Sequence, residues 1–429
     1  MHADNPSDRS PRLSAHPSLR QVKAFLAVAD HGSVSRAAGK LYRAQSAVTR
    51  LVLDLEAAVG VPLFERRPAG MRTTVFGEAF ERRARRAALE FDHARREVTE
   101  IAGRRVHPTA PVFSMQVGER RLAALIALTE SHHMPAVAEK LGVTQPAVSA
   151  ALRELEDGLG IPLFERTPRG LIPSDAALVL ARRARLALNE LSLALEEIAA
   201  LQGIMQGRVR VGALPLGRTA ILPRAVARLL ESHPAIHVSV IEGPFDTLAV
   251  ALRSGELDFI FGALREFPYG SDLAGNALLE DRLSIVVRSG HPLTRRRGLT
   301  LADLGSRKWV LNRESTPART LLDRAFSAQG LAPPQDVVET ASLAMTRGLL
   351  IEGDFLTALS RHQIEHELRF GMLAILPIEL PQTVRRIGIM QRRDSAPSPA
   401  ASLLGEEIRV AVNAITAAAT GPARKQRRR

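Results

Sequence analysis

Gln145, Pro146, Ser149 and Arg153 lie along one side of a stretch whose other side is apolar, with the small Ala150 among them. Such a face can do hydrogen-bonding chemistry on another surface. Gln bonds adenine through two hydrogen bonds, and Ser addresses several bases or a phosphate, so the set suits mixed contact with bases and backbone. On an isolated helix the same residues would be an ordinary solvated face, so the choice rests on what surrounds them. A second pattern, His362-Gln363-Ile364-Glu365-His366, matches the H-x-x-E-H spacing that sets two imidazoles one helical turn apart for a metal. Few acids follow that would complete such a site, and the helix expected there is polar, so solvated side chains are the better reading. Neither a G-x-S-x-G elbow nor a P-loop occurs in the sequence.

The elements that would position the Gln145 face are legible. Val148, Leu152, Leu155 and Leu159 fall at i, i+4, i+7 and i+11, the stripe of a helix buried along one side. Thr144 can cap its start through the hydroxyl, and Gly160 ends it. Upstream, Pro135 suits the first turn of a short helix whose apolar side is Val137, Ala138 and Leu141, and Gly142 permits a sharp turn. Two helices joined in this way form a helix-turn-helix, whose second helix can lie in a DNA major groove. Pro162-Leu163-Phe164-Glu165-Arg166, followed by Pro168 and Gly170, then reads as a wing of two short strands. Arg166 and Arg169 would lie there against phosphates or reach the minor groove. The alternative for Arg166 is a pair with Glu165 or a helix acid.

The arrangement occurs twice, one hundred residues apart. Without a gap, Gln45 aligns with Gln145, Leu41 with Leu141, Val48 with Val148, Leu55 with Leu155, Gly60 with Gly160, and Pro62-Leu63-Phe64-Glu65-Arg66 with Pro162-Leu163-Phe164-Glu165-Arg166. The first copy presents Gln45, Ser46, Thr49 and Arg50 on its second helix and Arg66, Arg67 and Arg72 on its wing. It has also diverged. Ala44 replaces the capping Thr, a change that typically costs about 1 kcal/mol, and Arg43 and Leu53 stand where the second copy has Val143 and Arg153. The two copies are therefore expected to prefer different DNA, or one of them to bind weakly.

Composition agrees without deciding. The 429 residues suffice for about three domains of roughly 150 each. A net charge of +13 favours nucleic acid through counterion release, but residues 1–200 hold 28 Lys/Arg against 23 Asp/Glu, so charge alone proves little. The absence of cysteine excludes disulfides and thiolate metal sites and fits a reducing compartment. No apolar run approaches the roughly 18 residues of a membrane span, and residues 1–18 lack the apolar stretch of an export signal. A cytoplasmic protein is expected.

At Thr144-Gln145-Pro146-Ala147-Val148-Ser149, Arg153, Leu155-Glu156, Gly160 and Leu163-Phe164-Glu165-Arg166 the chain resembles the LysR-type transcriptional regulators. The resemblance implies that Thr144, Gln145, Pro146, Ser149, Arg153, Arg166 and Arg169 occupy DNA-contact positions, with Gln45, Ser46, Thr49, Arg50, Arg66 and Arg67 as their counterparts in the extra copy. It further implies double-stranded DNA, a small-molecule effector and RNA polymerase as partners, a homodimer or homotetramer, no cofactor, no metal and no catalytic residue. Family members usually carry one winged module, so residues 19–74 are an addition. In the family a long helix after the wing packs against its equivalent in a partner subunit. The corresponding segments here run from Gly77 to Ile101, which is rich in Arg, and from Asp175 to Met205, which shows Leu180, Ala184, Leu188, Leu191, Leu195 and Ile198 at helical spacing. A dimer would then present four winged modules. The alternative is that each helix only covers its own module.

From Arg208 short apolar strands alternate with amphipathic helices, the pattern of a parallel sheet. The expected fold is α/β overall: two mainly helical winged helix-turn-helix domains, then a two-lobed α/β effector domain of periplasmic-binding-protein type. Its limits are a disordered tail over 1–17, the first module with its helix over 18–102, a linker over 103–114, the second module over 115–174, a linker or dimerisation helix over 175–206, the effector domain over 207–420 and a basic tail over 421–429. Lobe one would take 207–290 and 383–420, and lobe two 291–382. Small ligands sit beyond the carboxyl ends of such strands, where helix N-termini offer free N–H groups. The candidates are Leu214, Arg218 and Thr219 after the first strand, Asn312 and Thr316 in the second lobe, and Thr340 with Ser342 at a helix start. Thr219, Thr316 and Ser342 serve equally as plain helix caps. An organic anion suits such ends. The rival readings are a solute-binding protein without a transcriptional role and a metal-dependent hydrolase at His362 and His366.

Overall fold

A computed structural model describes residues 17–420, apart from 69, 169, 266–270, 315 and 336. The expected tails over 1–17 and 421–429, save Pro17, lie outside the described residues. The chain divides into two compact units, with the boundary between Gln206 and Gly207.

The first unit runs through α1 (Leu19–His31), α2 (Val34–Leu41), α3 (Gln45–Val59), β1 (Phe64–Arg67), β2 (Gly70–Thr73) and α4 (Val75–Ala102). The same series then recurs as α5 (Glu119–Ser131), α6 (Met134–Leu141), α7 (Gln145–Leu159), β3 (Phe164–Thr167), β4 (Gly170–Pro173) and α8 (Asp175–Leu201). Each wing is an antiparallel hairpin, Phe64 facing Thr73 and Phe164 facing Pro173. The apolar undersides of both sets meet in one continuous core that extends from Leu19 to Ile198.

The expected linker over 103–114 is part of that core. Val106, Val112 and Phe113 are buried, and the His107 N–H donates to the Leu159 carbonyl at the end of α7. α4 ends at Gly103, with φ 63°, and the apolar residues that follow dock the segment instead of leaving it in solvent.

α4 and α8 pack against each other along their lengths. Phe80, Ala84, Ala87, Phe91, Ala94 and Val98 on α4 are all buried, as are Leu180, Ala184, Ala187, Leu191, Ala194 and Ile198 on α8. Steps alternate between four and three residues, the spacing of a coiled-coil seam, and the two sets are in the same register one hundred residues apart. The many alanines let the backbones approach closely. Within the chain, the partner of each long helix along this seam is the duplicate helix, an arrangement that neither alternative framed from the sequence contains.

Charges fix the register of the pair. Arg83 bonds Glu190 at 3.1 Å and Glu197 at 2.9 Å, and its counterpart Arg183 bonds Glu90 at 2.8 Å and also Glu97. Arg82 reaches Glu197 at 2.6 Å just as Arg182 reaches Glu97 at 2.7 Å. Each Arg from the early part of one helix meets acids further along the other, so the helices run antiparallel. Exchanging the copies reproduces the contacts, which is the signature of an isologous, two-fold interface. The Leu19 N–H also donates to the Glu119 carboxylate at 2.6 Å. Residues 19 and 119 are counterparts, and counterparts touch only near a two-fold axis.

Burial alone would raise the Glu197 carboxyl, but the hydrogen bonds from Arg82 and Arg83 outweigh it and hold the group below its usual 4.5. A depressed folded-state pKa contributes stability that is present above the unfolded value and is lost as pH falls through the folded one. The first unit should therefore lose stability progressively as the pH drops below about 4.5. Urea titrations across that range should show a shallower loss for Glu197→Gln than for the native chain; equal slopes would remove Glu197 from the account.

The second unit contains β5 (Gly207–Ala213), α9 (Ile221–Ser232), β6 (Ile236–Glu242), α10 (Phe245–Arg253), β7 (Phe259–Ala263), β8 (Leu273–Asp281), β9 (Leu283–Arg288), β10 (Trp309–Leu311), α11 (Pro317–Ser327), β11 (Val337–Glu339), α12 (Leu343–Glu352), β12 (Thr357–Ser360), α13 (Glu365–Arg369), β13 (Leu373–Ile375), β14 (Arg385–Arg392) and α14 (Pro399–Thr420). One sheet has the order β6-β5-β7-β14-β8, with β5 parallel to β6 and β7 and with β14 antiparallel to its neighbours. The other lobe places β9 between β12 and β13, while β10 pairs in parallel with β11 and touches the start of β12 through a Trp309–Leu356 bridge. The chain crosses between the lobes at Arg282, since β8 belongs to the first sheet and β9 to the second. That is earlier than the limit of 290 read from the sequence, because β8 and β9 follow each other with a single residue between them and no turn residue marks the change. Ser360 and Arg385 both bond the buried Asp281 there, at 2.5 and 3.0 Å, tying the crossing strands together.

Candidate nucleic-acid interface

α3 and α7 bury Val48, Val52 and Leu55, and Val148, Leu152, Leu155 and Leu159, respectively. Their other faces are therefore turned outward. Gln45, Ser46 and Arg50 are exposed and Thr49 half-buried; Thr144, Gln145, Pro146 and Arg153 are exposed and Ser149 half-buried. The Thr144 hydroxyl accepts from the Ala147 N–H at 3.4 Å, whereas Ala44 makes no side-chain cap. Thr49 turns its hydroxyl onto the Gln45 carbonyl at 3.0 Å, a bond that occupies its proton but leaves its lone pairs.

Each wing is held by a carboxylate that the sequence alone did not single out as functional. Glu56 Oε1 accepts from the Leu63 and Phe64 N–H groups at 2.7 and 3.0 Å, and Glu156 Oε1 from Leu163 and Phe164 at 2.8 and 3.3 Å. Their equal positions in the two copies were the available signal. Arg66 and Arg166 are exposed and make no ion pair among the described residues, while Arg67 is paired with Glu65 at 2.8 Å. Arg169 lies outside the described residues.

Tyr42 is a further residue missed from the sequence. It ends α2 with φ 50° and ψ 47°, and its side chain is 96% exposed beside the start of α3. The second copy has Gly142 there with φ 64°. A side chain in this left-handed region costs roughly 1 to 2 kcal/mol, and nothing packs on Tyr42 to offset it. Tyr42→Gly and Ala44→Thr, which install what the second copy carries, should each stabilise the first unit by about 1 kcal/mol. A raised urea midpoint with unchanged slope checks both.

In the second unit the effector candidates fall into different environments. Leu214 is 4% exposed within the first-lobe core beside Leu248, Leu257 and Ile260, so its side chain packs there. Arg218 donates to the Ala213 carbonyl at 2.9 Å and pairs with Glu242 at 3.0 Å, which places its guanidinium at the carboxyl ends of β5 and β6. Thr219 does not cap α9; it donates to the His362 carbonyl at 3.3 Å, joining a loop of one lobe to a turn of the other. Thr316 stands at the α11 start but bonds the Arg313 carbonyl, whereas Ser342 caps α12 through the Met345 N–H and Thr340 accepts from the Ser342 N–H. Asn312 is half-buried just beyond β10. Arg265, not foreseen, follows β7. Burial pushes its guanidinium below the usual Arg value against the pull of Asp246, and its Nη1 is buried without a hydrogen-bond partner among the described residues.

The H-x-x-E-H residues do not share a regular helix. His362 lies on a 3-10 turn, Arg361–Ile364, and His366 on the five-residue α13, where its ring contacts Arg369 at 2.9 Å. The single helix assumed for this stretch is thus broken, and with it the one-turn spacing that the zinc pattern needs.

Comparison with known proteins decides the family. The model described as bacterial regulatory helix-turn-helix protein, lysR family, matches twice, at residues 19–78 and 120–178, and the LysR substrate binding domain matches at 202–412. The HTH-type transcriptional regulator GalR of Pseudomonas putida is 47% identical over 388 residues, 90% of this chain and 96% of its own. The chain belongs to the LysR family of transcriptional regulators. This regulator is a DNA-binding protein with a domain for a small-molecule effector. Other relatives are the regulators GbpR of Azospirillum brasilense, 31% identical over 66% of this chain and 83% of its own, and PcaQ of Agrobacterium fabrum, 31% identical over 68% and 94%. The solved LysR regulator CbnR aligns over 68% of this chain and 98% of its own at 21% identity, with a TM-score of 0.48. The GalR alignment is long enough that it must enter the first winged module of this regulator, because fewer residues are left out than the 19–78 match contains. No helix among the described residues is long and apolar enough to cross a membrane.

Proposed function

We propose that α3 and α7 are the DNA-reading helices of a ligand-controlled regulator, each lying in a major groove with its wing against the backbone. Gln45, Ser46, Thr49 and Arg50, with Arg66 and Arg67, serve the first module. Thr144, Gln145, Pro146, Ser149 and Arg153, with Arg166 and Arg169, serve the second. The observation that carries this reading is the outward, hydrogen-bonding face of each helix opposite a fully apolar underside. Binding of the full chain to duplex from upstream of its own coding region should weaken with salt, with a slope in log–log form of about −0.9 per phosphate contact. Affinity for no duplex at any salt concentration would end the proposal.

The effector we infer is a small organic anion held at the carboxyl ends of β5, β7, β10 and β11. Arg218, Thr219, Asn312, Thr316, Thr340 and Ser342 surround those ends, and Arg265 adds a half-buried cation whose Nη1 is buried without a hydrogen-bond partner among the described residues. The protein acts by binding and not by catalysis, in the cytoplasm, on promoters where RNA polymerase is engaged. Ligand control requires different affinity for two arrangements of the readers.

A further inference from the structure

We propose that one chain is a complete two-site reader: its two winged modules, locked by α4 and α8 about an internal two-fold, take two unlike half-sites of a single duplex without a second chain. The inference rests on the DNA-binding reading above and goes beyond it in stoichiometry and in the kind of DNA recognised.

Three independent features carry it. The α4–α8 seam has the same apolar register in both copies and is sealed by reciprocal ion pairs, Arg83 to Glu190 and Glu197 against Arg183 to Glu90 and Glu97. Arg83 and Glu190 are buried, so this is a formed interface and not a surface left for another subunit. Leu19 touches its own counterpart position, Glu119, where a two-fold axis must pass. The segment joining the modules is docked against α4 and α7 of the same chain, through Val106, Val112 and Phe113.

A two-fold pair of readers matches two half-sites related by the same symmetry. In a homodimer the halves read alike, because the two readers are one sequence. Here they are not: Arg50 and Leu53 on α3 stand where α7 has Ala150 and Arg153. The module order is also fixed by the chain, so the complex has a direction on DNA that a symmetric dimer lacks. The chemical partner is thus a duplex with two half-sites of related layout but different sequence.

The chain has no cysteine, which gives a clean test on the full-length protein. Arg82→Cys with Glu197→Cys, and separately Glu97→Cys with Arg182→Cys, are treated with a short bis-maleimide across a hundredfold dilution and analysed by mass spectrometry. A single chain carrying one bridging reagent, at a yield independent of dilution, is the expected product of both pairs. Two chains joined, or thiols only singly capped in both pairs, overturns the intrachain interface whether or not the protein binds DNA. On DNA, Arg50→Ala should weaken binding at least tenfold on probes where only the first half-site is intact and Arg153→Ala on probes where only the second is; equal losses on both probes would overturn the unlike half-sites.

Discussion

Arg83→Ala should destabilise the first unit by about 3 to 5 kcal/mol, the usual consequence of leaving a buried charge without its partner. Glu190 is 7% exposed and has Arg83 at 3.1 Å, so removing the guanidinium strands a carboxylate in an apolar seam. The loss is a property of the imbalance and not of the pair's net worth. Arg83→Met combined with Glu190→Leu fills similar volume without charge and should recover most of the stability, because ion pairs of this kind are often replaceable by apolar residues. Denaturant titration of the single and double variants checks this. A single variant within about 1 kcal/mol of the native chain would mean that α4 and α8 are not packed as described.

The second large effect is on recognition. Gln145→Ala should lower discrimination at one half of the operator by about 1 to 3 kcal/mol, roughly 5- to 150-fold, the range for one lost bidentate base contact. Gln45→Ala should do the same at the other half and leave the first unchanged. Neither residue touches the core, so folding should be unaltered. Competition binding with operators mutated in one half at a time reads the result; variants that weaken all duplexes alike would reduce both glutamines to backbone contacts.

Much of the reader architecture is legible in the sequence. The Val148 to Leu159 stripe, the Thr144 cap and Gly160 fixed α7 to the residue, and the duplicate fixed α3 by alignment despite Ala44. What was not legible is instructive. An amphipathic helix declares that it needs an apolar partner, but not which element supplies it, so the sequence of α4 and α8 suits a subunit contact and a contact with their own modules equally. A signal did exist: Arg83 with Glu90 and Glu97 repeats as Arg183 with Glu190 and Glu197, complementary charges in one register that suit an antiparallel pair. Tyr42 was missed because only glycine advertises a left-handed turn. In the second unit the strand–helix alternation revealed both parallel sets, but β8, with Gly275 and Asn276 inside it, lacks the apolar alternation of a strand. The position of Leu214 after β5 says nothing of its burial, which comes from Leu248, Leu257 and Ile260 on other elements.

The pairing of two readers in one chain is tested most directly by a hydroxyl-radical footprint of the full protein on its upstream DNA. Two protected segments should appear, separated by about one helical turn or a multiple of it, with Arg50→Ala erasing one and Arg153→Ala erasing the other. A single protected segment that responds to only one of these substitutions would contradict the account.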